Sequence, residues 1–156
     1  MRWGELTVAG ALLAASAPVA AQASVSLPIA RGFWTNEGQK CGTAHYGYVF
    51  DGKRWGSLYY YGPTQSLGPN AELQPITQTR AVAGGFTQMQ FGGFDGAGYF
   101  RMKSLGPAKA HYRVGAPFRD QLQVSDETLT LCPFQTLSPK MKAAIQRFAP
   151  TLVPVR

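Results

Sequence analysis

Few residues of this chain could do chemistry. Beyond residue 23 the carboxylate, imidazole and thiol groups are seven acids, Glu37, Asp51, Glu72, Asp95, Asp120, Asp126 and Glu127, with His45, His111, Cys41 and Cys132. Most of the acids fall where turns are expected, and Asp in a turn has a structural task, accepting hydrogen bonds from nearby backbone N–H groups. No Gly-x-Ser-x-Gly, His-Glu-x-x-His, Cys-x-x-Cys or glycine-rich phosphate loop occurs. The reading is therefore a protein without catalytic residues, metal site or cofactor.

What the sequence offers instead is aromatic surface, and a hairpin organises it. His45 to Phe50 and Lys53 to Tyr61 are two β-type runs around Asp51-Gly52, a strong signal for a two-residue turn. That turn pairs Tyr48 with Trp55, Gly47 with Gly56 and His45 with Leu58. One face then carries Tyr46, Tyr48, Phe50, Trp55 and Tyr59; the other carries His45, Val49, Arg54, Leu58 and Tyr60. Paired glycines give up packing, so Gly47 and Gly56 mark a bend of the sheet or room for another group.

Further strands follow the same alternation. Arg31 to Thr35 reads as the first strand, and Gly62 to Asn70 as the one long irregular connection. A three-residue loop at Ala83-Gly84-Gly85 pairs Arg80 with Gln88 and Gln78 with Gln90. A second Asp-Gly, Asp95-Gly96, pairs Phe91 with Phe100, Met89 with Met102 and Gly93 with Gly98. The turn at Gly106-Pro107-Ala108 pairs Met102 with Tyr112, Lys103 with His111 and Arg101 with Arg113. A last turn at Asp126-Glu127 sets Val124 against Leu129 and Leu122 against Leu131. Ser138-Pro139 opens a helix as N-cap and first helical residue. Its apolar face, Met141, Ala144, Ile145 and Phe148, should cover the outside of the sheet, and Pro150 ends it.

The N-terminus has the parts of a secretory signal: Arg2, an apolar run from Leu6 to Ala15, and Ala21-Gln22-Ala23 as a cleavage site. Export to the periplasm or medium makes a Cys41–Cys132 disulfide the default, and it ties early chain to late chain. The expected organisation is a signal peptide over 1–23, a β-barrel over 24–137, a helix over 138–150 and a tail over 151–156. No later apolar run is long enough to span a membrane as a helix. The net charge of +7 favours acidic partners, although a sequence-specific nucleic-acid reader is not expected. The mature chain reads as a monomer.

These strands, helix and bridge describe an all-β domain with one C-terminal helix, an antiparallel up-and-down barrel of 8–9 strands. Together with Gly32-Phe33-Trp34, which is similar to the Gly-x-Trp that opens the first strand of lipocalins, they resemble the lipocalin-like (calycin) barrels. The resemblance implies that Trp34 packs across the closed end. It implies binding rather than catalysis.

Two surfaces could bind. The interior receives Tyr46, Tyr48, Trp55, Tyr59, Thr77, Thr79 and Tyr112, with Met89, Phe100 and Met102, and suits a small apolar or aromatic ligand unless these side chains simply fill it. Arg80, Arg101, Lys103, His111 and Arg113 gather on the outer face. Their like-charge pairs cost stability unless something compensates. An anionic envelope component or a protein partner, for example a secreted hydrolase, would compensate; so would solvation and salt.

Overall fold

The computed structural model describes residues 25–94 and 96–155. The expected signal peptide and Asp95 lie outside them. Eight strands close into one antiparallel barrel in chain order: β1 (Gly32–Asn36), β2 (Tyr46–Phe50), β3 (Arg54–Tyr61), β4 (Leu67–Val82), β5 (Phe86–Phe91), β6 (Tyr99–Gly106), β7 (Lys109–Phe118) and β8 (Gln121–Cys132). The seam is β1 against β8, with Phe33 opposite Cys132 and Asn36 opposite Leu129. Cys41, in a short 3-10 turn before β2, reaches across that seam to Cys132 in a disulfide. Early and late chain are neighbours, and the architecture is consistent with a lipocalin-like barrel.

The registers at the Gly84 and Pro107 turns are the expected ones, Arg80 opposite Gln88 and Met102 opposite Tyr112. Both Asp-Gly hairpins differ. In the first, Phe50 pairs with Trp55 and Tyr48 with Ser57. Asp51 makes the loop longer, because its Oδ1 accepts from the backbone N–H groups of Lys53 at 3.0 Å and Arg54 at 2.7 Å, and its Oδ2 from Arg54 Nε at 2.6 Å. The register slips by two residues. An even slip preserves the faces, so Tyr46, Tyr48, Phe50, Trp55 and Tyr59 still share one side, while Gly47 opposes Leu58 and Gly56 opposes Val49. A slip of the same size puts Met89 opposite Phe100 in the second hairpin and leaves Gly93 and Gly98 off the ladder.

Two expectations are overturned. The connection expected over Gly62 to Asn70 is short, since β4 begins at Leu67 and runs for 16 residues. β4 must serve two neighbours at different heights, β3 above and β5 below, as a tilted barrel strand does. Pro69 is tolerated because it sits where the β3–β4 register shifts, away from a ladder N–H. Nor does the last hairpin turn at Asp126-Glu127. It turns at Arg119-Asp120, both in the left-handed region with φ 46° and 59°, as a two-residue type I′ loop requires. Asp126 then lies opposite Arg113, and Glu127 opposite Tyr112. The strand count is eight.

One end of the barrel interior is filled by buried apolar side chains. Trp34, Phe50, Ile76, Met89, Met102, Ala110 and Leu129 fill it, and Leu27 of the N-terminal segment is buried with them, Val25 and Ile29 alongside. Trp34 Nε1 donates to Ala30 O at 3.1 Å, which pins that segment. A second cluster lies outside. There α1 (Pro139–Phe148) lays Met141, Ala144 and Ile145 over Phe33, Val49, Leu58 and Tyr60. Ser138 caps α1, its hydroxyl accepting from Met141 N at 3.2 Å. No described helix is long and apolar enough to cross a membrane.

Candidate functional site

The opposite half of the barrel holds a hollow of about 260 Å³. Alternation aims the aromatic face of β2 and β3 into it, and Tyr112 of β7 meets that face from across the barrel. Tyr48 stacks on Trp55 at 5.2 Å between ring centroids, and Tyr112 stands steeply tilted to both in T-shaped contacts at 5.1 and 5.2 Å. Tyr46 stands edge-on to Tyr48 at 5.5 Å. Phe91 and Phe100, themselves edge to face, complete the apolar lining, and Ser57, Glu72 and Gln74 bring polar groups to it.

Two carboxylates belong to this region, and both are held by hydroxyls. Tyr48 donates to Glu127 Oε2 at 3.0 Å. Ser57 donates to Glu72 Oε2 at 3.1 Å and Tyr59 to its Oε1 at 2.9 Å. The Trp55 indole N–H makes no well-formed hydrogen bond among the described residues, the Tyr112 hydroxyl being its nearby partner, although Trp55 is only 2% exposed. A buried donor left unpaired is costly.

Of the expected interior residues, Tyr46, Tyr48, Trp55 and Tyr112 line the hollow. Tyr59 stands at its edge as a partner of Glu72. Thr79 pairs with Met89 outside the hollow, beside the filled half. Thr77 does not face inward: it is the extra residue where the β4–β5 register shifts, exposed, with its hydroxyl on Gln90 O. A bulge inserted between Ile76 and Gln78 redirects the side chain there. Glu72, Glu127, Ser57, Gln74 and Phe91 were not among the expected site residues. Glu127, expected in a turn, instead lies opposite Tyr112, because the hairpin turns at Arg119-Asp120 in the register that also sets Asp126 against Arg113, charge against opposite charge.

Burial sets the ionisation of the cluster. Tyr46, Tyr48 and Tyr112 are all raised above the usual phenol value of 10, first by loss of solvent and then, among other effects, by the negative charge of Glu127 nearby. A raised folded value means that the neutral form is the one stabilised. Their contribution is fully present below pH 10, the unfolded value, and is lost as pH climbs from there through the folded values. In an alkaline titration the phenolate absorbance of these three should therefore develop only together with loss of the folded circular-dichroism signal. Full ionisation near pH 10 with the fold intact would contradict this burial.

The outer basic residues are assembled as expected, but they are answered from within. Asp126 accepts from Arg113 Nε at 2.7 Å and lies 2.6 Å from His111 Nε2. The Arg113 hydrogen bond holds the Asp126 carboxyl below its usual range. Gln88 accepts from Arg101 Nε at 3.0 Å, and the guanidinium of Arg101 lies 4.0 Å from the centroid of the Tyr99 ring. Phe86, buried on this face, lies under Lys103 and Arg113, with His111 set edge-on to its ring. Arg80 stands opposite Gln88 on the same face.

No protein-family model, curated protein or solved structure matches the chain. What the site can do must come from its own geometry: an open-ended aromatic hollow with hydroxyl, amide and carboxylate groups along it, in a barrel whose other end is filled by buried apolar side chains.

Proposed function

We propose that this is an exported, non-enzymatic binding protein that holds a small ligand in the hollow half of a lipocalin-like barrel. The observation that carries the reading is the division of the interior into a packed half and an aromatic hollow of about 260 Å³. Interiors are close-packed when nothing else is needed of them, and here buried apolar side chains fill one end while the other keeps an open space. Pockets that enclose drug-sized ligands begin near ~300 Å³, so the guest is small, with apolar or aromatic surface to match the walls. Trp34 is buried at the filled end, the position that the lipocalin-like resemblance implies for it. The disulfide supports export to an oxidising compartment.

The outer basic face is the weaker alternative as a site for an anionic envelope polymer or a protein partner, because Asp126, Gln88 and Phe86 already satisfy most of it. Protein purified from its native host and unfolded before mass spectrometry should release a bound small molecule. Ser57→Phe, which puts a ring into the hollow, should abolish that release while the chain still folds. Identical extracts from both proteins would overturn the reading.

A further inference from the structure

Charge narrows the ligand. We infer that the hollow selects a small organic cation, an amine or quaternary ammonium that also carries an oxygen acceptor; this rests on the hollow being a ligand site. The chain has a net charge of +7, yet no lysine or arginine lines the hollow. Its two acids, Glu72 in the wall and Glu127 behind the Tyr48 hydroxyl, take part in no ion pair among the described residues. Glu37, Asp51 and Asp126 do, with Lys109, Arg54 and Arg113, while Asp120, exposed in the β7–β8 turn, does not. In a chain with roughly two basic residues for each acid, two carboxylates served only by neutral hydroxyls leave room for a positive charge.

The walls point the same way. Aromatic faces carry the negative lobe of the ring quadrupole and attract cations, the more so when the cation is desolvated. Tyr46, Tyr48, Trp55, Tyr112, Phe91 and Phe100 give the hollow such rings on several sides. An anion would meet both carboxylates and no cationic side chain. A metal ion fits poorly, because among the described residues no three metal-ligating side chains converge and hard cations need several oxygens at once. The Trp55 N–H, whose approach to the Tyr112 hydroxyl falls short of a well-formed hydrogen bond, adds a further requirement, since a hydroxyl, ether or carbonyl oxygen on the guest would satisfy it.

The test uses choline and its uncharged isostere, in which carbon replaces the quaternary nitrogen, titrated into the purified protein at low salt by calorimetry. Choline should bind about ten-fold tighter, the factor that ~1.4 kcal/mol represents. The preference should shrink in Glu72→Gln and in Glu127→Gln and shrink further in the double variant, which keeps only what the aromatic rings contribute, with melting temperatures recorded to show that each protein is folded. Trp55→Phe should weaken both probes, because both carry the hydroxyl. Equal affinities in the wild-type protein would overturn the charge selection and leave the hollow as a ligand site. Failure of both probes to bind would overturn the inference too, and the Ser57→Phe comparison of native extracts then decides separately whether the hollow holds anything.

Discussion

Reduction of the Cys41–Cys132 disulfide will lower the free energy of unfolding by roughly 4 kcal/mol. The bridge joins residues 91 apart and so closes a ring around β2 to β8. In the chain-entropy account a ring of that size restricts the unfolded ensemble by roughly 4–5 kcal/mol. The folded state adds a local reason. Cys132 ends β8 beside Phe33 of β1, and it is buried in the cluster that Leu137 and, from α1, Met141 and Ile145 cover. The bond therefore pins the barrel seam beneath the helix. Urea unfolding with and without reductant, followed by circular dichroism, measures the difference. A loss under ~1 kcal/mol would show that ring closure does not limit this fold, and Cys41→Ala/Cys132→Ala should reproduce the reduced protein. A stability drop of this size is a large part of what a domain has, so the reduced barrel should unfold at modest urea.

Much of the barrel was legible because alternation has a period of two and is insensitive to loop length in even steps. Both Asp-Gly hairpins were expected two residues out of register, yet Tyr48, Trp55 and Met89 point where alternation sent them. Odd events are different. The bulge at Thr77 turned an expected interior residue outward, and nothing in Pro75-Ile76-Thr77-Gln78 announces an extra residue. The carboxylates of the site were hidden by turn chemistry. A left-handed pair is usually built with glycine or asparagine, and Arg119-Asp120 has neither. Asp126-Glu127 looked more turn-like, and that choice removed Glu127 from the interior. Glu72 was hidden differently, inside a strand whose start had been read as a loop with two Gly-Pro steps. Those misplaced acids are what turns an apolar hollow into one suited to a cation.

Replacing Gly56 with alanine will destabilise the barrel by about 3 kcal/mol or more and open the mouth of the hollow. The backbone at Gly56 is ordinary for a strand, so the objection to a side chain is space alone. A Cβ there would stand 1.9 Å from the carbonyl oxygen of Glu72 and 2.7 Å from its carbonyl carbon. Both are backbone atoms, which no rotamer change can move. Crowding of a packed site costs ~1–3 kcal/mol even when side chains can yield; here β4 itself must retreat from β3. The retreat begins at Glu72, whose carboxylate collects the hydroxyls of Ser57 and Tyr59, so fold and site fail together. Gly42→Ala is the matched control, because a Cβ at Gly42 meets only Thr136 O at 3.5 Å, an ordinary contact. Urea midpoints should fall steeply for the first variant and stay within error for the second. If Gly56→Ala unfolds at the wild-type midpoint, β3 and β4 are not in the close approach described, and Gly56 is a spacer that any small residue could replace. The glycine matters for what lies beside it on β4, not for a second glycine across the hairpin, where Val49 stands instead.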